Sequence, residues 1–160
     1  MLCRPLTTNE QAGNDGMTHQ AIVNADDLTQ TTANTAQTIK LCDLVAGDIN
    51  VKVALRVKTP FENTADAAFN TTTVSVGDVA AVNTYLTAAE TNKNGTVVPT
   101  RVSTNTAVVY TAADKVAVTF NAMAAKSLSS INKGELHVFF RLYRVPTLEQ
   151  AASGGNIVTK

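Results

Sequence analysis

The chain has 160 residues, a length typical of one domain and sufficient to bury a core without crosslinks. Lys plus Arg and Asp plus Glu each number 13 and only 16% of residues are charged, which disfavours a nucleic-acid binder that relies on phosphate neutralisation. The sequence has no Trp, two His and no apolar run near the roughly 20 residues of a membrane span, which disfavours a metal enzyme and a membrane protein.

The N-terminal residues 1–19 contain proline and glycine but no apolar period, so we expect an irregular arm. They lack the apolar stretch of a signal peptide, which predicts synthesis in a cytosol. Cys3 lies in this arm and Cys42 on a predicted strand. A disulfide between them is possible, but two cysteines are not a framework, so a buried thiol and a stray one remain the simpler interpretation.

The first predicted strands are residues 20–24 and 38–44, with a polar loop at 25–37 between them. The clearest strand follows at 49–58, where apolar residues alternate with polar or small ones, as in a strand with one buried face. Pro60 should end it because proline cannot donate to the ladder. The predicted inward row is Ile49, Val51, Val53, Leu55 and Val57, and the opposite face carries Lys52, Arg56 and Lys58.

Weaker strands are predicted further along the chain. Alternation at residues 72–76 precedes a Gly-Asp pair, and residues 96–98 follow Asn94-Gly95, the best short hairpin signal in the chain. Two more strands, at 107–110 and 115–120, flank a tight connection. The Ala-rich residues 79–90 are predicted to hold a helical turn or two, and residues 122–132 another.

The final predicted strand is residues 135–145. Its inward row is Leu136, Val138, Phe140 and Leu142. Because the other face mixes aromatic bulk with charge, we expect it to pack against a neighbouring chain rather than water. That other face carries His137, Phe139, Arg141 and Tyr143.

About eight short strands with turn residues between them predict an all-β fold, a jelly-roll-like antiparallel β-sandwich with flexible N- and C-terminal arms. A parallel α/β fold would need long helices between the strands, and the sequence lacks them. The predicted organisation is an N-terminal arm at 1–19, the sandwich at 20–146 and a polar, small-residue tail at 147–160.

The sequence offers little catalytic chemistry. A nucleophile needs a base beside it, and the candidate bases are His19 in the arm and His137 on a strand. Asp26-Asp27 are adjacent, so strand geometry would point them apart, and turn chemistry suits them better than glycosidase chemistry. No Gly-rich phosphate loop, metal-ligand spacing or nucleophile elbow is present, so we predict no enzyme activity, no cofactor and no metal site.

Five stretches between residues 20 and 145 stand out: VALRVKTPFE at 53–62, DAAFN at 66–70, TVSVGD at 73–78, AAKSL at 124–128 and GELHVFF at 134–140. They resemble small all-β virion proteins of tailed bacteriophages. The resemblance implies a capsid decoration, or cement, protein that binds the outer surface of the shell between capsomers of the major capsid protein. It also implies a homo-oligomer, a trimer, located on the virion after synthesis in the host cytoplasm.

Two other functions stay open. A head-fibre or tail-associated domain could recognise a host surface glycan or receptor, although sugar-binding faces usually expose Trp or Tyr. The cations of the 49–58 strand form either a solvated face or a surface for an acidic partner. The predicted interface residues are Lys52, Arg56, Lys58, His137, Phe139, Arg141 and Tyr143, with no nucleic-acid or membrane partner.

Overall fold

The computed structural model describes residues 3–92, the backbone of 101–102, and residues 107–144. One short helix, α1 (Thr8–Gly13), and single 3₁₀ turns at Ala25–Asp27, Ala67–Thr71 and Leu128–Ser130 accompany the strands. The strands are β1 (Arg4–Pro5), β2 (His19–Asn24), β3 (Gln37–Leu44), β4 (Asp48–Glu62), β5 (Thr73–Asp78), β6 (Leu86–Glu90), β7 (Arg101–Val102), β8 (Val108–Val109), β9 (Asp114–Phe120) and β10 (Lys133–Arg144).

The strands pair as a nested set of antiparallel hairpins: β2 with β10, β3 with β9, β4 with β7 and β8, and β5 with β6. Rolling up this set gives one sheet in the order β1-β2-β10-β4-β7, which we call the β10 sheet. The second sheet, which we call the β9 sheet, has the order β3-β9-β5-β6. Nested pairing across two sheets is the jelly-roll arrangement, so the predicted all-β sandwich is confirmed.

Alternating side chains of the central strands fill the space between the two sheets. The rings of Phe61 and Phe120 pack with centroids 4.8 Å apart and join the sheets at one level. Each fully buried aliphatic or aromatic side chain contributes about 1.5–3 kcal/mol, so these rows supply most of the driving force. The inward rows are Val53, Leu55 and Val57 of β4, Val74 and Val76 of β5, Val116, Val118 and Phe120 of β9, and Leu136, Val138 and Phe140 of β10.

Strand β4 runs through Pro60 to Glu62, so the prediction that Pro60 ends it is wrong. Thr59 pairs with Glu135 and Glu62 with Lys133, which leaves one extra residue on β4 between these pairs. Proline is tolerated at such a bulge because no ladder donor is needed there.

A second bulge reverses the faces of β4 near its start. Lys52 pairs with Arg141 and Asn50 with Leu142, so Val51 is the extra residue on β4. The prediction that Ile49 and Val51 continue the inward row is therefore wrong. Asn50 is fully buried and Ile49 only partly so, because the residues before the bulge have exchanged sides.

Residues 3–19 are ordered against the β10 sheet, contrary to the expectation of an irregular arm. Helix α1 begins with a capping box, in which the Thr7 hydroxyl accepts from the Glu10 amide and the Glu10 carboxylate accepts from the Thr7 amide at 2.9 Å. Leu6 and Met17 are 5% and 2% exposed. The capping box and the two buried side chains hold this segment in place, although its sequence has no periodic row of apolar residues.

Cys3 and Cys42 form a disulfide with their Cα atoms 5.5 Å apart, so Cys3 is not a stray thiol. The bond joins the segment before β1 to β3, an edge strand of the β9 sheet. It therefore links the N-terminal residues to the opposite sheet from the one they cover.

The expected helical turns within residues 79–90 are wrong. Residues 79–84 form a turn that folds back over Gly77, and β6 continues as a strand paired with β5. The Ala-rich sequence forms a strand because the free edge of β5 supplies its hydrogen bonds, which override helix propensity. The predicted hairpin at 94–98 and the tail at 147–160 lie outside the described residues.

The disulfide generates a stability prediction. Replacing both cysteines, Cys3→Ser with Cys42→Ser, should lower the free energy of unfolding by about 4 kcal/mol, because the bond closes a loop with a sequence separation of 39. Urea unfolding of the oxidised protein and the variant measures the difference. Reductant should bring the wild type down to the variant and leave the variant unchanged. Equal stability of the oxidised and reduced wild type would contradict the prediction.

Candidate interaction surface

The predicted interface residues come together on the outer face of the β10 sheet. Strands β4 and β10 are adjacent, so Arg56 lies opposite His137, Lys52 opposite Arg141, and Ala54 opposite Phe139. Lys58 and Tyr143 extend the same face toward its two ends. We call this surface the β10 outer face, and its role as an interface stays a prediction.

Two of the four cations of the β10 outer face have carboxylate partners among the described residues. Lys52 pairs with Asp15, and Lys58 lies 3.0 Å from a carboxylate oxygen of Glu135. Arg56 makes no ion pair among the described residues and lies over the Phe139 ring, 5.6 Å from its centroid. Lys52 and Lys58 thus have carboxylate partners within the chain, whereas Arg56 has an aromatic one.

His137 is held in a polar network on the β10 outer face. Its Nε2 lies 2.8 Å from a Glu135 carboxylate oxygen, and its Nδ1 lies 3.1 Å from the Gln20 amide nitrogen. The hydrogen bonds from His137 and Lys58 hold the pKa of Glu135 below its ordinary value. The side chains of His137, Glu135 and Lys58 are therefore joined by hydrogen bonds at the centre of the face.

The N-terminal segment covers the middle of the β10 outer face. Leu6 and Met17 pack with Ala54 and Phe139 as a second, smaller apolar cluster. Phe139 is only 5% exposed. Tyr143, 52% exposed, is the accessible aromatic residue of this face.

Ion pairs and backbone bonds fasten the N-terminal segment to the face. Two hydrogen bonds from Arg4, at 2.6 and 3.0 Å, lower the pKa of Glu10 to about 2. Lys52 likewise lowers the pKa of Asp15. Arg141 donates to the Gly16 carbonyl at 3.0 Å, so it holds the turn before β2.

A cleft of about 490 Å³ opens beside the disulfide, between β3, β2 and the end of β10. Asp48 is 2% exposed and accepts hydrogen bonds from Arg144 at 2.7 and 2.8 Å, which lower its pKa. Burial, with the nearby Arg144, lowers the pKa of His19. The cleft thus holds an imidazole whose pKa is lowered and a carboxylate that is paired within the chain.

His19 does not activate a free nucleophile in this cleft. Its Nδ1 lies 2.9 Å from the Thr18 hydroxyl, but that hydroxyl also bonds the Phe140 carbonyl and accepts from the Leu142 amide. The Thr18 hydroxyl therefore attaches the residue before β2 to the backbone of β10. The sequence predicts His19 in an irregular arm and gives no signal for the Asp48–Arg144 pair beside it.

A second surface was not predicted from the sequence. The exposed large hydrophobic residues of the described chain come from separate segments that meet at one end of the sandwich, where β3, β5 and β10 end and β4 and β9 begin. We call this surface the apolar end. Its members are Val45, Val79, Val82, Val109 and Tyr143, between 37% and 60% exposed.

In the part of the chain that the structure describes, no three His, Cys, Asp or Glu residues cluster as metal ligands would. None of its helices is long and apolar enough to cross a membrane.

The chain matches no family model and no curated protein. It is similar to a chain of the cyanophage Pam1 capsid asymmetric unit, with 22% identity and a TM-score of 0.54 over 79% of this chain and 82% of that chain. A chain from the acidic stable capsid structure of Helicobacter pylori bacteriophage KHP30 aligns at 22% identity over 80% and 89%, with a TM-score of 0.45. The Pam1 likeness establishes that the two chains share a fold.

The second apolar cluster can be tested with a pair of aromatic truncations. Phe139→Ala should lower the free energy of unfolding by about 2–4 kcal/mol, because it empties the space under Leu6 and Met17. Tyr143→Ala, on the same face but exposed, should change it by less than about 0.5 kcal/mol. Urea unfolding measures both. Similar effects of the two substitutions would mean that the N-terminal segment does not cover Phe139.

The Arg4–Glu10 contact predicts a pH dependence of the N-terminal segment. Since the pKa of Glu10 is lowered to about 2 from an ordinary 4.5, its contribution is complete above pH 4.5 and is lost as the pH falls through 2. NMR titration of the Glu10 carboxyl measures this pKa. Arg4→Gln should raise it toward 4.5, whereas Arg56→Gln, a cation elsewhere on the face, should leave it unchanged. An unshifted Glu10 in the wild type would contradict the contact.

Proposed function

We propose that this protein is a structural component of a tailed-phage particle, a decoration or cement protein. It binds the outer surface of the capsid shell between capsomers of the major capsid protein and stabilises the shell. The observation that carries the proposal is the fold shared with a chain of the Pam1 capsid over 79% of this chain. The stretches that resemble small virion proteins lie on β4, β5, β10 and the turns that join the sheets.

The mechanics of the fold support this role. A cement protein acts by filling and bridging surfaces, so it needs a body that keeps its shape under load. Here two sheets share one core, the Cys3–Cys42 bond ties the N-terminal segment to the far sheet, and Leu6 and Met17 anchor the same segment on the near sheet. Such a preorganised block loses little conformational entropy when it binds.

The tyrosines favour shell binding over glycan recognition by a fibre or tail domain. Tyr85 and Tyr110 are 4% and 6% exposed, and their hydroxyls bond each other inside the core. Their rings therefore present no face on which a sugar could stack. Tyr143 lies at the apolar end, among aliphatic neighbours.

We further propose that the protein is made in the host cytoplasm and acts as a homotrimer on the outside of the virion. Edge strands support an oligomer of this kind. Strand β3 is an eight-residue edge of the β9 sheet. Contacts between copies would cover such edges, which otherwise invite aggregation.

Addition of the purified protein to shells that lack it tests the proposed function. The protein should co-sediment with the shells and raise the temperature or pressure at which they rupture. Glycan-array and host-cell binding provide the opposing measurement. Shells that are equally fragile with and without the protein would refute the proposal, and cell binding without shell binding would reverse it in favour of a receptor-binding role.

A further inference from the structure

A chain of side-chain hydrogen bonds crosses the β10 outer face and joins the N-terminal segment to its centre. The Arg4 guanidinium bonds the Glu10 carboxylate of α1 and also donates to the side-chain oxygen of Gln20 at 3.1 Å. The side-chain nitrogen of Gln20 in turn lies 3.1 Å from Nδ1 of His137. Strands β1, β2 and β10 are thus connected through these side chains as well as through their backbones.

The contact with Arg4 fixes the orientation of the Gln20 amide. Because a guanidinium can only donate, the side-chain oxygen of Gln20 faces Arg4 and its NH₂ group faces His137. Nδ1 of His137 is then the acceptor, and the ring proton lies on Nε2, which donates to Glu135 at 2.8 Å. One state of the ring satisfies every bond of the chain, and it is the neutral tautomer protonated on Nε2.

A second proton on His137 would break this chain of bonds. Both ring nitrogens would then be donors, so Nδ1–H would face the NH₂ group of Gln20. Turning the Gln20 amide over would give His137 an acceptor but would set the NH₂ group against the Arg4 guanidinium, again donor against donor. Either the His137–Gln20 bond or the Gln20–Arg4 bond is therefore lost. Gln20 is 8% exposed, so water has little access to replace the lost partner.

The charges around His137 place the loss at Arg4. A protonated ring would keep its bond to Glu135 as an ion pair, but Lys58 shares the same carboxylate oxygen at 3.0 Å. One carboxylate would then face several cations, and Arg4 can move away most easily because it lies on a two-residue strand and pairs with Glu10. The groups that face the ring are Glu135 on β10, Arg56 and Lys58 on β4, the uncharged Gln20 and Ile22 on β2, and Arg4 beyond Gln20.

We infer that Arg4, Gln20 and His137 form a pH-sensitive latch, which fastens the N-terminal segment to the β10 outer face while His137 is neutral and loosens it when His137 is protonated. The latch is closed above the range in which histidines titrate, about pH 5 to 8, and opens as the pH falls through it. The opening is local to β1, because the disulfide and the buried Leu6 and Met17 still hold the segment. Its operation does not depend on the proposed function.

The carboxyl groups near the latch keep their charge in this pH range. Hydrogen bonds from neighbouring cationic and imidazole groups lower the pKa of Glu10 to about 2 and hold the pKa values of Asp15 and Glu135 below their ordinary range. These side chains stay ionised above pH 5. A response of the segment between pH 8 and pH 5 therefore has two candidate side chains, His137 in the latch and His19 in the part of β2 that pairs with β1.

Hydrogen exchange of the oxidised, full-length protein tests the latch. The reporter is the Leu6 amide, which donates to the Thr18 carbonyl at 2.7 Å directly after β1. Exchange is followed by NMR at pH 8 and pH 5 and expressed as protection factors, which removes the intrinsic effect of pH on the exchange rate. The amide of Val138, in the centre of β10, reports global stability in the same spectra. In the wild type the protection of Leu6 should fall about fivefold or more at pH 5 relative to that of Val138.

Two histidine variants identify the titrating group. His137→Gln does not titrate, but its side-chain amide can accept from Gln20 and donate to Glu135 as the neutral ring does. It should keep the protection of Leu6 high at both pH values. His19→Gln, the matched change at the other histidine, should keep the fall seen in the wild type. A fall that persists in His137→Gln, or that disappears in His19→Gln, would overturn the inference.

Two arginine variants test the route by which the proton acts. Arg4→Met removes the bond to Gln20, so the protection of Leu6 should be low at both pH values. Arg141→Met removes a cation that also holds the N-terminal segment, through the Gly16 carbonyl, but lies outside the latch. It should keep the fall between pH 8 and pH 5. A fall that persists in Arg4→Met would mean that the proton does not act through Gln20, and it would overturn the inference.

A wild type whose Leu6 protection does not change with pH would also overturn the latch. If His137→Gln does not fold, Gln20→Met replaces it, because this change removes the connection between His137 and Arg4 while filling the same buried space. Low protection of Leu6 at both pH values in Gln20→Met would support the latch, and a persistent fall would overturn it. None of these measurements involves shells, so the proposed function is judged separately.

Discussion

The pairing of β4 with β10 is the interaction on which the other features depend. These two long strands lie side by side at the centre of one sheet and carry the inward rows that meet the second sheet. Their register decides which residues reach the core and which reach the outer face. The bulge at Val51 then turns Asp48 inward toward Arg144 and Ile49 outward beside Tyr143. One inserted residue thus positions both the ion pair of the buried Asp48 with Arg144 and the outward-facing Ile49.

The N-terminal segment shows how weak local signals combine into a fixed structure. Neither the six-residue helix α1 nor the two-residue β1 would be stable alone. The capping box, the Arg4–Glu10 pair, the Leu6 and Met17 contacts and the disulfide each contribute modestly. Together they hold the segment across Phe139, which shields an aromatic residue that would otherwise be exposed on a strand. The segment is part of the folded body.

The alternation of apolar and polar residues predicted those features of the fold that depend on a single strand. In a strand whose side chains alternate, only one of the two faces is apolar, and that face must be the buried one. This reasoning correctly placed Val53, Leu55 and Val57, and the row from Leu136 to Phe140, in the core. Bulges could not be predicted, since the extra residue at Val51 is defined only against its partner on β10. The apolar end could not be predicted from the sequence either. Its valines lie on segments that are distant along the chain and come near one end of the sandwich only when the strands pair. The disulfide between the two cysteines could not be predicted either, because the distance between them depends on how the segment before β1 folds back.

The end of the sandwich at which β4 ends and β10 begins has a mechanical consequence. Three passages of the chain there, from β2 to β3, from β4 to β5 and from β9 to β10, carry the backbone from one sheet to the other. These passages are joined by hydrogen bonds of Asn63 and Asn34 and by the Lys126–Asp66 ion pair. Because these bonds join separate passages of the chain, pulling the two sheets apart at this end would break several of them at once.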